Sequence, residues 1–233
     1  QQQDLDQNKW NRINLGNYWM DIIRPLFRFF IPLGFIFSLL LTFQGVPATL
    51  SVGPTAQVLE QSTEVKTQHI PLGPVAPMVA IKQLGSNGGG WYGPNSSVPL
   101  ENPTPLSNVI EMIAILLIPL SAVFMVGRFI QRKKLMWMIF GSMLLMSLSS
   151  TLLTLWAEKS SLIPNVGWME GKEVRFGVEA SALWGSLTTQ VNNGSVNMMH
   201  DSASPLTGLV ELCNMLINAI LGGIGCGLLQ FFI

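Results

Sequence analysis

The sequence predicts an all-α membrane protein made of repeated units, each with a spanning helix, a re-entrant pore helix with its filter loop, and a second spanning helix. Three observations predict this fold class. The chain is 48% hydrophobic and only 11% charged, whereas an ordinary soluble domain contains about 25% charged residues. Four stretches are long and apolar enough to cross a bilayer. Two shorter apolar segments are each followed by an Asn-Gly step and a similar helix start.

The four candidate spans lie at residues 20–43, 105–127, 135–157 and 205–233. Each reaches the roughly 20 mainly apolar residues that a crossing helix requires. Residues 1–17 are polar, of mixed charge and unlike a signal peptide. We therefore expect a cytoplasmic segment there, in a chain that begins in mid-protein.

Basic residues next to the spans predict the orientation of the chain, because loops rich in lysine and arginine stay on the cytoplasmic side. The short link 128–134 carries four of them: Arg128, Arg132, Lys133 and Lys134. The link is therefore predicted to be cytoplasmic. The long connections 44–104 and 158–204 then lie outside.

Each outer connection contains an apolar segment that is too short to cross, at 75–84 and at 176–189. Segments of 10 to 14 residues are typical of re-entrant or interfacial helices. Both segments end near an Asn-Gly step, in "SNG" at 86–88 and "NNG" at 192–194. We predict a short pore helix followed by a filter loop in each case, at 85–90 and 190–196.

Two helix starts after these loops also match, "TPLSNVIE" at 104–111 and "SPLTGLVE" at 204–211. A hydroxyl residue at the N-cap followed by proline is an ordinary helix start. It does not explain the shared leucine, second hydroxyl and glutamate. The match therefore predicts an internal repeat of units 18–127 and 135–233, an arrangement common among transport proteins.

Glycine-rich backbone at membrane depth is tolerated where it is buried in protein or lines a water-filled path. Gly88, Gly89 and Gly90 can adopt dihedral angles that other residues avoid. Successive carbonyls can then replace the water shell of a cation, helped by the negative end of the preceding helix. The loop predicts a cation pore, and a mere connector is the alternative.

Two stretches together closely resemble the potassium-binding A subunit of the Kdp potassium-transporting ATPase, a family within the superfamily of potassium transporters. They are "GPVAPMVAIKQLGSNGGGWYGPNSSVPLENPTPLSN" (73–108) and "MEGKEVRFGVEASALWGSLTTQVNNGSVNMMHDSASPLTGLV" (169–210). In that family four repeats surround one selectivity filter. The resemblance covers the second repeat and most of the third, so we expect a fragment or one piece of a split subunit, truncated at residue 233.

The resemblance implies the site residues. The family's filter glycines map onto Gly88 and Gly194. The implied potassium filter comprises Ser86, Asn87, Gly88, Gly89, Gly90, Asn192, Asn193, Gly194 and Ser195. Asn218 stands where the family commonly has a glutamate. Glu111 and Glu211 are expected either to contact the ion or to bind backbone amides of the filter loops, in the vestibule or a second shell.

The resemblance also implies the function of the whole protein. It would bind extracytoplasmic potassium, its transported ion, and pass it inward, while a catalytic P-type ATPase subunit hydrolyses ATP. Small accessory membrane subunits complete that complex, in the multi-pass cytoplasmic (inner) membrane of a bacterium or archaeon. The chain would not be an enzyme by itself. Its formal net charge of zero gives no indication of a nucleic-acid partner.

Two other functions remain open from the residues alone. A passive potassium channel or symporter subunit would share the same repeat architecture. An intramembrane enzyme would need a nucleophile with a base, or metal ligands, on the spans, yet both histidines, His69 and His200, lie in outer connections. We expect the charged residues of the pore segments to face an outer vestibule or to pair with one another: Lys82, Glu173, Arg175 and Glu179.

Overall fold

The computed structural model describes residues 17–59, 66–160, 169–218 and 220–222. The chain is mostly helical and divides between Leu33 and Gly34 into two compact units. Helix α1 spans Tyr18–Phe43 and includes a π-helical segment at Leu26–Phe30. All the loops that concern function lie in the second unit.

Helices α3 (Pro105–Phe129) and α4 (Lys133–Lys159) follow the predicted second and third spans closely. Together with α1 they are the three helices of the described chain that are long and apolar enough to cross a membrane. Many of their large apolar side chains are exposed, such as Met125 and Leu145. Outward-facing apolar side chains are those that a bilayer covers.

Two short helices occupy the outer connections, α2 (Val75–Leu84) and α5 (Gly177–Gln190). The sequence predicted both within one residue. Helix α6 (Pro205–Ile217) follows α5. Its predicted start is confirmed, since the Ser204 hydroxyl accepts a hydrogen bond from the Thr207 amide at 3.2 Å. The same kind of cap begins α3, where the Thr104 hydroxyl accepts from the Ser107 amide at 3.0 Å.

Two features of the fold differ from the prediction. The fourth span was expected to be one helix over 205–233, but α6 ends at Ile217 after 13 residues because Asn218 adopts a left-handed conformation with φ of 47°. Residues 219 and 223–233 lie outside the described part of the chain. In addition, strands β1 (Thr55–Gln57) and β2 (Thr67–His69) pair as an antiparallel hairpin in the first outer connection.

The apolar core nearest the loops joins the two predicted repeats. It is formed by α3, α5 and the segment after α6, with the fully buried Trp184 and Ile115 packed among Met112, Val191, Ile220 and Leu221. Polar side chains are unusually common among the buried residues, as Gln83, Glu111 and Gln190 illustrate. The interior is therefore more polar than the exposed faces of the long helices.

Candidate functional site

Helices α2 and α5 end with the same backbone geometry. Two residues beyond each helix, one residue is left-handed, Ser86 with φ of 50° and Asn192 with φ of 53°. The next amide then donates to the carbonyl five residues earlier. These two bonds run from Asn87 N to Lys82 O at 3.1 Å and from Asn193 N to Thr188 O at 2.9 Å. The two loops therefore leave their helices in equivalent ways.

The equivalence continues through the Asn-Gly steps. The Asn87 side-chain oxygen accepts from the Gly89 amide at 3.0 Å. The Asn193 side-chain oxygen accepts from the Ser195 amide at 2.8 Å. Each asparagine thus bridges over the glycine that follows it, which holds the glycine in a tight turn. This shared turn explains why both loops carry Asn-Gly.

The two loops lie against each other. Gly88 adopts φ of +77°, and a Cβ built there would overlap the backbone of Gly194 and Ser195. A Cβ built on Gly194 would lie 3.0 Å from the Asn87 carbonyl oxygen. Only glycine fits this contact without displacing backbone, so the two glycines sit side by side where the loops meet.

Side chains of α5 hold carbonyls of the second loop. The Thr188 hydroxyl donates to the Asn193 carbonyl at 2.7 Å and to the Ser195 carbonyl at 3.0 Å. The indole N–H of Trp184 donates to the same Ser195 carbonyl at 3.0 Å. These bonds fix the orientation of alternate carbonyls in the loop.

The first loop is held by a buried lysine instead. The Lys82 ammonium donates to the Asn95 side-chain oxygen at 2.5 Å and to the Ser96 hydroxyl at 2.6 Å, and it pairs with the Glu101 carboxylate. The Asn95 amide group donates to the Gly88 carbonyl at 2.5 Å. The expectation that Lys82 faces a vestibule or pairs with another pore-segment charge is wrong, because the segment after the glycines folds back over α2.

The remaining charged residues of the pore segments lie nearer the surface. Arg175 Nη2 lies 3.9 Å from the Glu173 carboxylate, as one of the two expectations had it, and the same nitrogen donates to the Ser97 carbonyl at 2.7 Å. Glu179 pairs with Lys159 at 2.6 Å, and both side chains are exposed. The Arg175 bond links the second outer connection to the first.

Glu111 and Glu211 occupy equivalent places but have different partners. Glu111 is buried and accepts from the Gln83 amide and the Ser96 hydroxyl, both at 2.7 Å. Glu211 is buried with one oxygen 3.6 Å from His200 Nδ1, and its other oxygen has no hydrogen-bond partner among the described residues. Neither carboxylate accepts from a loop amide in the described chain, and Glu111 binds side chains instead. The alternative, a contact with the ion, stays a prediction for both.

The other predicted site residues have different surroundings. The Asn192 amide donates to the Asn218 side-chain oxygen, which attaches the second loop to the end of α6. Gly90 instead lies next to the segment that follows the first loop, since a Cβ built on it would be 2.8 Å from Glu101 Oε1. The buried Ser86 hydroxyl has no partner among the described residues. The structure thus brings Asn87, Gly88, Gly194 and Ser195 together and places Gly90 at the edge.

Four residues around the loops were missed by the sequence argument: Asn95, Glu101, Trp184 and Thr188. Asn95 and Glu101 are two of several polar residues in a connection that also contains Trp91, Tyr92 and Asn102, so nothing in the residue types distinguished them. Their burial could not be read from this composition.

The sequence of this chain is similar to a family profile and to known proteins. The family profile described as "KdpA: Potassium-transporting ATPase A subunit" matches residues 6–233. Proteins named potassium-transporting ATPase potassium-binding subunit from Leptospira interrogans and Delftia acidovorans are 45% and 42% identical over 94% and 93% of this chain. One from Herpetosiphon aurantiacus is 40% identical over 92%.

The chain spans about 39% to 40% of the length of these relatives. The family profile nevertheless covers nearly the whole chain, including both glycine loops and every helix described above. The chain belongs to the KdpA family of potassium-transporting ATPase A subunits.

Proposed function

We propose that the two loops form part of the potassium filter of an ATP-driven uptake pump. The contact between Gly88 and Gly194 is the observation that carries the proposal, because two equivalent loops with fixed carbonyls meet at one point. The filter residues of the proposal are the nine named from the sequence: Ser86, Asn87, Gly88, Gly89, Gly90, Asn192, Asn193, Gly194 and Ser195.

The chemistry of such a filter is the replacement of water by carbonyl oxygens. A potassium ion enters when several carbonyl dipoles compensate for its lost hydration shell. Helices α2 and α5 both end at these loops, so the negative ends of two helix dipoles act on the same place. Hydrogen bonds from Thr188, Trp184 and Asn95 keep the carbonyls oriented before an ion arrives.

In this proposal ATP is hydrolysed on a separate P-type ATPase subunit, and small accessory membrane subunits complete the complex in a bacterial inner membrane. Residues 128–134 face the cytoplasm, as does the segment 1–17, of which residues 1–16 lie outside the described part of the chain. Units 18–127 and 135–233 each contribute one filter loop. The names of the relatives support potassium binding and a subunit role. Glu111, Glu211 and Asn218 act around the loops rather than as a catalytic group.

The test is ion preference in the full-length protein within its assembled complex. We expect Gly88→Asp and Gly194→Ala to reduce the preference for potassium over sodium, measured as ion-stimulated ATP hydrolysis. A side chain at either glycine displaces loop backbone, and the new carboxylate favours smaller, more strongly hydrated cations. Gly93→Ala is the matched control, because a Cβ there meets nothing within 4 Å.

Unchanged ion preference in both glycine variants would overturn the filter assignment. The passive channel or symporter would instead be favoured by two results in the parent complex: ATP hydrolysis that does not respond to potassium, and potassium flux in the absence of ATP. The two results differ, since the first concerns the loops and the second concerns coupling to ATP.

A further inference from the structure

The side chain of Asn95 has its orientation fixed from both ends. Its oxygen accepts from the Lys82 ammonium at 2.5 Å and from the Ser96 amide at 2.8 Å. Its nitrogen donates to the Gly88 carbonyl at 2.5 Å. A flipped amide would present N–H groups to two donors and oxygen to a carbonyl, so the lysine and the Ser96 amide together determine which end faces the loop.

The lysine is in turn held by the carboxylate of Glu101. Both side chains are essentially inaccessible, at 1% and 0% exposure. Glu101 also accepts from the Tyr92 amide at 2.8 Å. A buried ion pair costs desolvation energy and is retained only with good geometry and further hydrogen bonds. The lysine of this pair makes two further hydrogen bonds, and the one to Asn95 leads on to the Gly88 carbonyl.

We propose that Lys82 is a positioning residue for ion selection, acting through Asn95 on the Gly88 carbonyl. The inference rests on the proposed function, since it gives Gly88 the role of a filter residue. Lys82 does not touch the ion. Its charge keeps the Asn95 amide donating, and that hydrogen bond keeps the carbonyl from moving inward to suit a smaller cation.

The residue of the second pore helix that is equivalent to Lys82 also restrains a loop carbonyl, which supports this role. Lys82 and Thr188 are equivalent, because each accepts at its backbone carbonyl the bond that ends its helix. Thr188 donates directly to carbonyls of its loop. Lys82 reaches its loop carbonyl through one intervening side chain. Both units thus use this position to restrain a carbonyl, with different chemistry.

The first test is Asn95→Asp in the full-length protein within its complex. Aspartate has the same shape, still accepts from Lys82 and suits the left-handed φ of 60° at this position. When ionised, it cannot donate to the Gly88 carbonyl. We expect the ratio of apparent affinities for potassium and sodium in ATP hydrolysis to fall about two- to tenfold, the range corresponding to one hydrogen bond. Asn95→Ala, which is smaller, removes the same donor and is expected to act in the same direction.

The second test removes the ion pair without leaving an unpaired charge. We expect Lys82→Met combined with Glu101→Gln to lower the same ratio by a smaller factor, because the Ser96 amide still holds Asn95. The control is Lys172→Met with Glu158→Gln. That pair is also buried, at 3.2 Å, but it adjoins the start of α6 rather than a glycine loop, so the affinity ratio is expected to stay at the parent value.

The results separate this inference from the proposed function. If the glycine variants alter ion preference while the Asn95 and Lys82 variants leave it unchanged, the positioning role is overturned and the filter stands. If none of them alters preference, the filter assignment itself fails. A fall in thermal stability without a change in the affinity ratio, as expected of the control pair, identifies a purely structural role and also overturns the inference.

Discussion

At the scale of single residues, Gly88 and Gly194 are glycines for different reasons. Gly88 combines a left-handed φ of +77° with backbone atoms of the other loop where a Cβ would stand. Gly194 lacks the left-handed φ, and its Cβ position is limited by one carbonyl oxygen at 3.0 Å. A small shift of the neighbour accommodates alanine at Gly194 but not at Gly88. Substitutions at Gly88 are therefore expected to be the more damaging of the two.

His200 gives a residue-scale prediction about pH. Burial lowers the pKa of His200, and its Nδ1 lies 3.6 Å from Glu211, beyond hydrogen-bond distance. The folded chain then binds this proton less readily than the unfolded chain, so stability falls as the pH drops through the ordinary histidine range. We expect His200→Gln to reduce the loss of thermal stability of the complex between about pH 7.5 and about pH 5.5.

The measurement is the unfolding temperature of the parent and variant complexes at each pH. His69→Gln serves as the matched control, because His69 is exposed on β2. An equal loss of stability in parent and His200→Gln would show that the histidine is not responsible. A larger loss in the variant would mean that protonated His200 stabilises the fold through Glu211.

Residue environments were the least predictable part of the chain. The glycines and asparagines of the loops could be identified because their backbone requirements are visible in the residue types. Lys82 could not, since a lysine in a short apolar segment is ordinarily exposed or near the membrane surface. Its burial depends on Glu101 and Asn95, which arrive from a connection whose path the sequence does not specify.

At the scale of elements, helix α5 is anchored by its last residue. The Ser147 hydroxyl of α4 donates to Gln190 Oε1 at 2.6 Å. Gln190 Nε2 donates to the Ser186 hydroxyl at 2.8 Å and to the Thr151 hydroxyl at 3.1 Å. These bonds attach the end of the helix to the third span just before the second loop begins.

We expect Gln190→Leu to destabilise the complex by about 1–3 kcal/mol, because buried hydroxyls then lose a partner. Adding Ser147→Ala and Thr151→Val should restore part of that loss by removing the unsatisfied groups. The measurement is thermal unfolding, with Ser121→Ala on an exposed face of α3 as control. No loss in Gln190→Leu, or no recovery in the combined variant, would contradict the anchoring role.

The helices were more predictable than their connections. Threonine or serine followed by proline marked the starts of α3 and α6, since the cap is a local interaction. The hairpin of β1 and β2 was missed because three-residue strands carry too little pattern. The end of α6 was missed because Asn218 interrupts an apolar run without proline or glycine, and its partner Asn192 is distant in sequence.

At the scale of the whole molecule, each predicted repeat closes in a similar way. The Thr104 hydroxyl at the start of α3 donates to Gln44 Oε1, just beyond α1, at 2.8 Å. The Ser204 amide at the start of α6 donates to Glu158, near the end of α4, at 2.7 Å. In both, the end of an incoming helix holds the start of the outgoing one. The sequence predicted the repeat, but these closing bonds required the structure.

Membrane orientation gives the last prediction, because it applies to every loop at once. Four basic residues in and beside the turn between α3 and α4 predict that this turn is cytoplasmic. The β1–β2 hairpin and both glycine loops are then predicted to lie on the external side. In full-length protein with Cys213 and Cys226 replaced by alanine, Gln57→Cys should react with an impermeant thiol reagent added to intact cells. Gln131→Cys should react only after permeabilisation, since both side chains are exposed in the structure. Reversed labelling would place the glycine loops on the cytoplasmic side, where they could not receive external potassium.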